Sequence, residues 1–213
     1  MPGPLLTADG RPLRAAALRT RRTLLDSLVT ELKTTPYRDI RIADVARRAK
    51  TSPAAFYHYF TDLDAAVAAL AEDVACFVSP VRTTGGLDRE AVAQLVEVFF
   101  RFYRANRTVL RAVEAKAAEG DERFTELRRK IYGGLNTSLV MTLVGAYPRA
   151  ADRDTREATA ASLTLLLTSA AAQQPPQAGW SFAPDPVRAA VVDLVHTAIA
   201  RRPATPLTTA LTP

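Results

Sequence analysis

Ile42-Ala43-Asp44-Val45-Ala46-Arg47-Arg48-Ala49-Lys50-Thr51-Ser52-Pro53-Ala54-Ala55-Phe56-Tyr57-His58-Tyr59-Phe60 holds two short helical patterns with a turn between them. In the first, Ile42, Val45, Ala46 and Ala49 recur at three- and four-residue spacing and share one face. Lys50-Thr51 interrupts it. Ser52 then suits an N-cap and Pro53 the first helical position, so a second helix opens at Pro53 and runs to about Tyr59. Its residues Phe56 to Phe60 are four aromatics and one histidine. One helix face cannot bury all five. Phe56 and Phe60, four apart, point to the core, which leaves Tyr57, His58 and Tyr59 to do something else.

The flanks fit that unit. Upstream, about Arg14 to Thr34 is helical, with Leu18, Leu25, Leu28, Val29 and Leu32 forming one stripe, and Pro36 ends it. Downstream, Thr61-Asp62-Leu63-Asp64 has capping-box spacing and opens a helix to about Val78. Two short helices on a longer first helix describe a helix-turn-helix, whose second helix enters the major groove. Helical patterns then cover about 88–105, 107–119, 121–146, 152–173 and 185–202. No strand-like alternation or internal repeat is found. The predicted fold class is all-α: an N-terminal three-helix helix-turn-helix domain, then a C-terminal helical bundle. The predicted boundaries are a flexible arm at 1–13, the helix-turn-helix domain at 14–62, a connecting helix at 62–78, the bundle at 79–202 and a disordered Pro- and Thr-rich tail at 203–213.

Charge is uneven. Residues 11–60 hold eleven Lys and Arg against four Asp and Glu, whereas residues 61–213 hold seventeen of each. A basic segment on a neutral remainder predicts a polyanionic partner, most simply nucleic acid. The lone Cys76 excludes an internal disulfide and a thiolate metal site. It fits a reducing cytoplasm, and no apolar leader segment is seen near Met1. The apolar run 158–172 is shorter than the roughly 20 residues of a membrane span, so no membrane partner is expected.

The order of motifs from Arg19 to Leu70 resembles the DNA-binding signature of the tetracycline-repressor (TetR) family. The resemblance implies a sequence-specific, cytoplasmic transcriptional regulator reading double-stranded DNA. It implies that Arg41 and Ser52 lie at phosphates and that Ala54, Ala55, Tyr57, His58 and Tyr59 lie at or in the groove, where alanine methyls can meet thymine methyls. Two positions depart from the family pattern. Lys50 stands where the turn usually has Gly, so either it sits at positive φ with strain or the turn differs; its ammonium is in reach of the backbone of the DNA. Leu63 stands where a Lys usually contacts phosphate, and Arg21, Arg22, Arg47 or Arg48 are the available substitutes.

One such module makes few phosphate contacts, so a symmetric pair on a palindromic operator is expected, with half-sites about 34–36 Å apart. The last two helices are the predicted homodimer interface, through Leu165, Val187, Val191, Leu194 and Val195, with small residues such as Ala158 and Ala161 beside them. Val98 to Tyr103, followed by Asn106 to Arg111, is loosely similar to the mycobacterial ethionamide-resistance regulator and its relatives, which have a narrow, largely apolar tunnel. That analogy puts Phe99, Tyr103, Leu127, Ile131, Ser138 and Thr168 on the lining of a cavity for a small apolar effector, whose binding releases a repressor from its operator. A regulator whose large domain only dimerises is the alternative. An enzyme would need a nucleophile–base pair, a metal cluster or a phosphate loop. His58 and His196 lack such partners in the sequence, so no catalytic residue, metal or cofactor is expected.

Overall fold

The structure is a computed structural model that describes residues 15–76, 88–146, 153–172 and 184–200. Every regular element among them is helical: α1 (Ala15–Thr34), a 3-10 turn (Tyr37–Asp39), α2 (Ile42–Arg48), α3 (Pro53–Tyr59), α4 (Leu63–Cys76), α5 (Arg89–Ala118), α6 (Glu122–Ala146), α7 (Arg153–Ala172) and α8 (Pro184–Ala200). The all-α class follows directly. The expected arm at 1–13, the tail at 203–213 and the Gly- and Pro-rich connections at 77–87 and 173–183 lie outside the described residues.

The chain divides into two compact units, one of Met1–Phe77 and Asn106–Ile131, the other of Val78–Ala105 and Tyr132–Pro213. In the first unit, Leu24, Leu25 and Leu28 of α1 meet Val45 and Ala46 of α2, Phe56 of α3 and Val67, Leu70 and Ala71 of α4; all are buried. A fully buried Leu or Phe contributes about 1.5–3 kcal/mol, so this small interior is enough to hold two seven-residue helices that would not form alone. Val109, Leu110, Val113, Phe124, Leu127 and Ile131 are also buried in this unit.

In the second unit the buried side chains include Val92, Val96, Phe99, Phe100 and Tyr103 of α5, Leu163 and Leu167 of α7, and Val191, Val195 and Ile199 of α8. Helices α7 and α8 pack together. Arg188 bonds Glu97 at 3.1 Å and Arg89 bonds Asp193 at 2.8 Å, joining α5 to α8 within this unit.

Four local expectations are corrected. Residues 88–105 and 107–119 form one helix, α5, because no Pro or Gly lies between Arg89 and Ala118 and Asn106 alone costs well under about 1 kcal/mol in a helix interior. Asp62, not Thr61, caps α4: its Oδ1 accepts the Ala65 amide at 2.6 Å, while the Thr61 hydroxyl donates to Asp62 Oδ2 at 3.2 Å. Leu18 is exposed, at the unburied start of α1. The spacing of Phe99, Phe102 and Tyr103 predicts all three on one buried face, but on α5 Phe99, Phe100 and Tyr103 are buried and Phe102 is only half-buried.

Candidate nucleic-acid interface

The turn between α2 and α3 is a Schellman ending. The Thr51 amide donates to the Ala46 carbonyl at 3.0 Å and the Lys50 amide to the Arg47 carbonyl at 3.1 Å, satisfying carbonyls that the helix end leaves open. The motif demands a left-handed residue at its centre. Lys50 occupies it with φ 55°, the one positive φ at a residue other than glycine among those described. The first of the two alternatives for Lys50 is therefore the observed one. A side chain there costs about 1 kcal/mol or more relative to glycine.

Ser52 starts α3 as the cap: its Oγ accepts the Ala55 amide at 3.2 Å, with Pro53 in the first turn. Phe56 is fully buried and Phe60 nearly so, their ring centroids 5.4 Å apart. Arg21 stacks over Phe60 at 5.1 Å. Burial lowers the Arg21 pKa, with Asp73 and Glu72 pulling the other way; an arginine remains cationic under any such shift. The α3 backbone is thus clamped from one side. Its other side presents Ala54, Tyr57 and His58 to solvent, with Ala55 and Tyr59 half-buried. Tyr57 is 53% exposed although it is a large aromatic. His58 and Tyr59 pack edge to face at 5.0 Å, which limits their rotamers without burying them.

Arg41, the N-cap residue of α2, and Lys50 are exposed and form no ion pair among the described residues. The substitutes considered for Leu63 are all engaged. Arg22 pairs with Asp26 at 3.0 Å and Asp73 at 3.6 Å. Arg47 pairs with Asp44 at 2.6 Å. Arg48 pairs with Glu31 at 2.6 Å, fastening the end of α2 to α1.

A half-buried polar cluster in the same unit has no counterpart in the sequence pattern. Tyr37, in the 3-10 turn, donates its hydroxyl to Asp64 on α4. Lys116, near the end of α5, lies 3.2 Å from Asp64 and 3.1 Å from Glu119. Burial, then the bond to Asp64, raises the Tyr37 pKa well above its ordinary value. The bonds to Glu119 and Asp64 raise that of Lys116. The cluster orients α4 against the turn that leads into α2, and partners so far apart in sequence leave no local pattern.

Of the residues named for effector and dimer, Phe99 and Tyr103 are buried and Thr168 is half-buried in the second unit; Leu127 and Ile131 are buried in the first. The Ser138 side chain lies outside those described. Val191 and Val195 are buried, Val187 is half-buried, and Leu165 and Leu194 are exposed at 70% and 57%. Among the described residues no helix is long and apolar enough to cross a membrane, and no cluster of metal-ligating side chains occurs.

Comparison with known proteins agrees with this geometry. The family model of bacterial regulatory proteins of the tetR family matches residues 24–70, and that of the tetracyclin repressor-like C-terminal domain matches residues 77–205. Among solved structures, a tetR-family transcriptional regulator from Streptomyces coelicolor has a TM-score of 0.67 at 17% identity, covering 85% of this chain and 80% of that one. A TetR-family regulator from Rhodococcus sp. has a TM-score of 0.65 at 16% identity, covering 86% and 100%. The fatty acid degradation regulator FadR from Bacillus halodurans has a TM-score of 0.61 at 16% identity, covering 84% and 94%. At these identities the likeness is one of fold. No curated protein matches the chain.

Proposed function

The chain belongs to the TetR family of bacterial regulatory proteins and is a DNA-binding transcriptional regulator, and from that premise we propose that it is a homodimeric repressor released from a palindromic operator by a small apolar effector. The observation that carries the reading is α3: a helix capped by Ser52 and anchored by Phe56 and Phe60, with Tyr57 and His58 held out in water. Stability gives no reason to expose Tyr57; a base edge or phosphate does. Ala54 and Ala55 let the backbone come close to the groove. Arg41, Lys50 and Ser52 supply contacts to the phosphates, which fix register without reading sequence.

Dimerisation is supported by Leu165 on α7 and Leu194 on α8, two exposed leucines on helices that pack together. With Val187 and the small residues Ala158 and Ala161, they form an apolar face for a second copy, over a core that includes Val191 and Val195. Pairing two reading heads multiplies phosphate contacts and so affinity.

The apolar effector is supported by the aromatic and aliphatic interior of the second unit, where Phe99 and Tyr103 are buried and Thr168 is half-buried. One similar fold belongs to a protein described as a regulator of fatty acid degradation. Release requires only that the effector bind more tightly to the conformation that does not fit the operator.

The test is to incubate the purified protein with sheared genomic DNA of its source at near-physiological salt, then recover and sequence the bound fragments. Enrichment of a palindrome, with loss of retention when a long-chain acyl ligand is added, is the expected result. Retention that salt abolishes, without any enriched site, overturns sequence-specific reading; an enriched site without inverted symmetry overturns the dimer.

A further inference from the structure

Within the first unit, the C-terminal end of α1, the 3-10 turn and the middle of α5 enclose a recess of about 490 Å³, the size of a metabolite site. Its charge is one-sided. Lys33, Arg107 and Arg111 line it, and no carboxylate does. None of the three cations forms an ion pair among the described residues. Arg107 is half-buried, where an unpaired guanidinium is least at ease. Arg107 and Arg111 stand four apart on one helix, so they repel each other across one turn.

The Asp64 carboxylate that Tyr37 binds is already paired with Lys116 at 3.2 Å, and a further opposing field comes from the C-terminal dipole of α1, equivalent to about half an elementary charge. Three full charges outweigh it. Thr35 and Thr108 add hydroxyl donors, and Pro36 and Tyr37 add an apolar wall. Two guanidinium forks one turn apart on α5 and an ammonium from α1 lining the same recess suit a compact oxyanion carrying at least two charges. The recess is far too small for a duplex about 20 Å wide, so a DNA backbone can touch only its rim.

We propose that this recess is a binding site for a small phosphate ester, clamped by Arg107, Arg111 and Lys33 and separate from both the DNA-reading face and the apolar effector site. An anion seated there neutralises the α5 arginine pair and braces the turn that carries Tyr37.

The probe is inorganic pyrophosphate titrated into the full-length protein by calorimetry at constant ionic strength, with no DNA present. Saturable binding near one site per chain is expected. It should weaken at least tenfold in Arg107→Gln/Arg111→Gln and severalfold in Arg111→Gln alone, whose exposed side chain contributes nothing to the core. Arg129→Gln, a surface cation of the same unit, should leave it unchanged. Non-saturable heat, or equal loss in the Arg129 variant, would reduce the effect to diffuse counterion binding and overturn the proposal. So would a competition experiment in which operator DNA displaces pyrophosphate and the double variant loses DNA affinity by the same factor, since the arginines would then be backbone contacts.

Discussion

Lys50 and Gly120 hold the same place in the same helix-ending motif: each donates its amide three residues back, the next residue donates five back, and each has a positive φ, 55° and 88°. One ends α2 at the DNA-reading turn, and the other ends α5. Only the second uses the residue that the conformation favours. The strain at Lys50 therefore sits where its ammonium is available to a phosphate and not where stability alone would place it.

Two opposite effects are predicted from that pair. Lys50→Gly relieves the left-handed strain and should raise the unfolding free energy by about 1 kcal/mol in urea titration, less a little for the freer unfolded chain. The same variant should lower DNA affinity at low salt and reduce the slope of log affinity against log salt by about one contact's worth, about 0.9. Gly120→Ala should destabilise by about 1 kcal/mol although nothing lies within 4 Å of an added Cβ, because the cost is in the backbone. A stabilised Lys50→Gly with an unchanged salt slope would leave Lys50 as a strained residue with no contact to DNA.

Much of the reading unit was legible because its signals are local. Ser52 beside Pro53, and two phenylalanines four apart, act within one or two turns of chain, and the structure places all four as their types dictate. Where two residues compete for one role, sequence does not decide: Thr61 and Asp62 are both good caps, and the stronger charged acceptor won at 2.6 Å. Tyr37, Asp64 and Lys116 are brought together only by tertiary packing, as are Lys33, Arg107 and Arg111 around their recess. Polar residues at such separations carry no period, so neither group stands out before the helices are packed.

The recognition helix should separate binding from folding. Tyr57→Ala and His58→Ala remove exposed side chains and should leave the thermal midpoint within about 2 °C, since surface changes stay near 0.5 kcal/mol. Specific affinity for the operator should fall about 5- to 150-fold in each, the range of one lost base contact of about 1–3 kcal/mol. Phe56→Ala, at a fully buried position, should instead cost about 3–5 kcal/mol and melt the unit. Fluorescence anisotropy beside circular dichroism distinguishes the cases; unchanged anisotropy in both surface variants would move the reading helix elsewhere.

The apolar face of α7 and α8 makes a prediction about assembly. Leu194→Arg and Leu165→Arg each place a charge at an exposed leucine, 57% and 70% accessible, so neither disturbs the interior of the chain. If the faces of two copies meet there, each substitution buries an unpaired charge, and light scattering should report a monomer with native helicity. A dimer of undiminished mass in both variants would place the interface on another surface.

Tyr37 should give the chain a specific alkaline limit. Burial and the Asp64 carboxylate raise its pKa, and the bonds of Lys116 to Glu119 and Asp64 raise that of the lysine. A group whose pKa is higher folded than unfolded stabilises fully below its unfolded value and loses that contribution as pH climbs. The unfolded phenol titrates near 10.0 and the lysine near 10.5, so stability should hold from neutral pH to about pH 9.5 and then fall. Tyr37→Phe removes one donor from a carboxylate that keeps Lys116. At pH 8 it should cost about 1.5–3 kcal/mol, the range for a hydrogen bond to a charged acceptor. Above pH 10 its unfolding free energy should decline less steeply than that of the parent, because one of the two titrating groups is gone. Urea midpoints at pH 8, 9.5 and 10.5 in both proteins decide it: parallel curves would mean that the Tyr37 hydroxyl is not bound to Asp64 in solution, and convergence toward high pH would show that the bond holds the turn before α2 against α4.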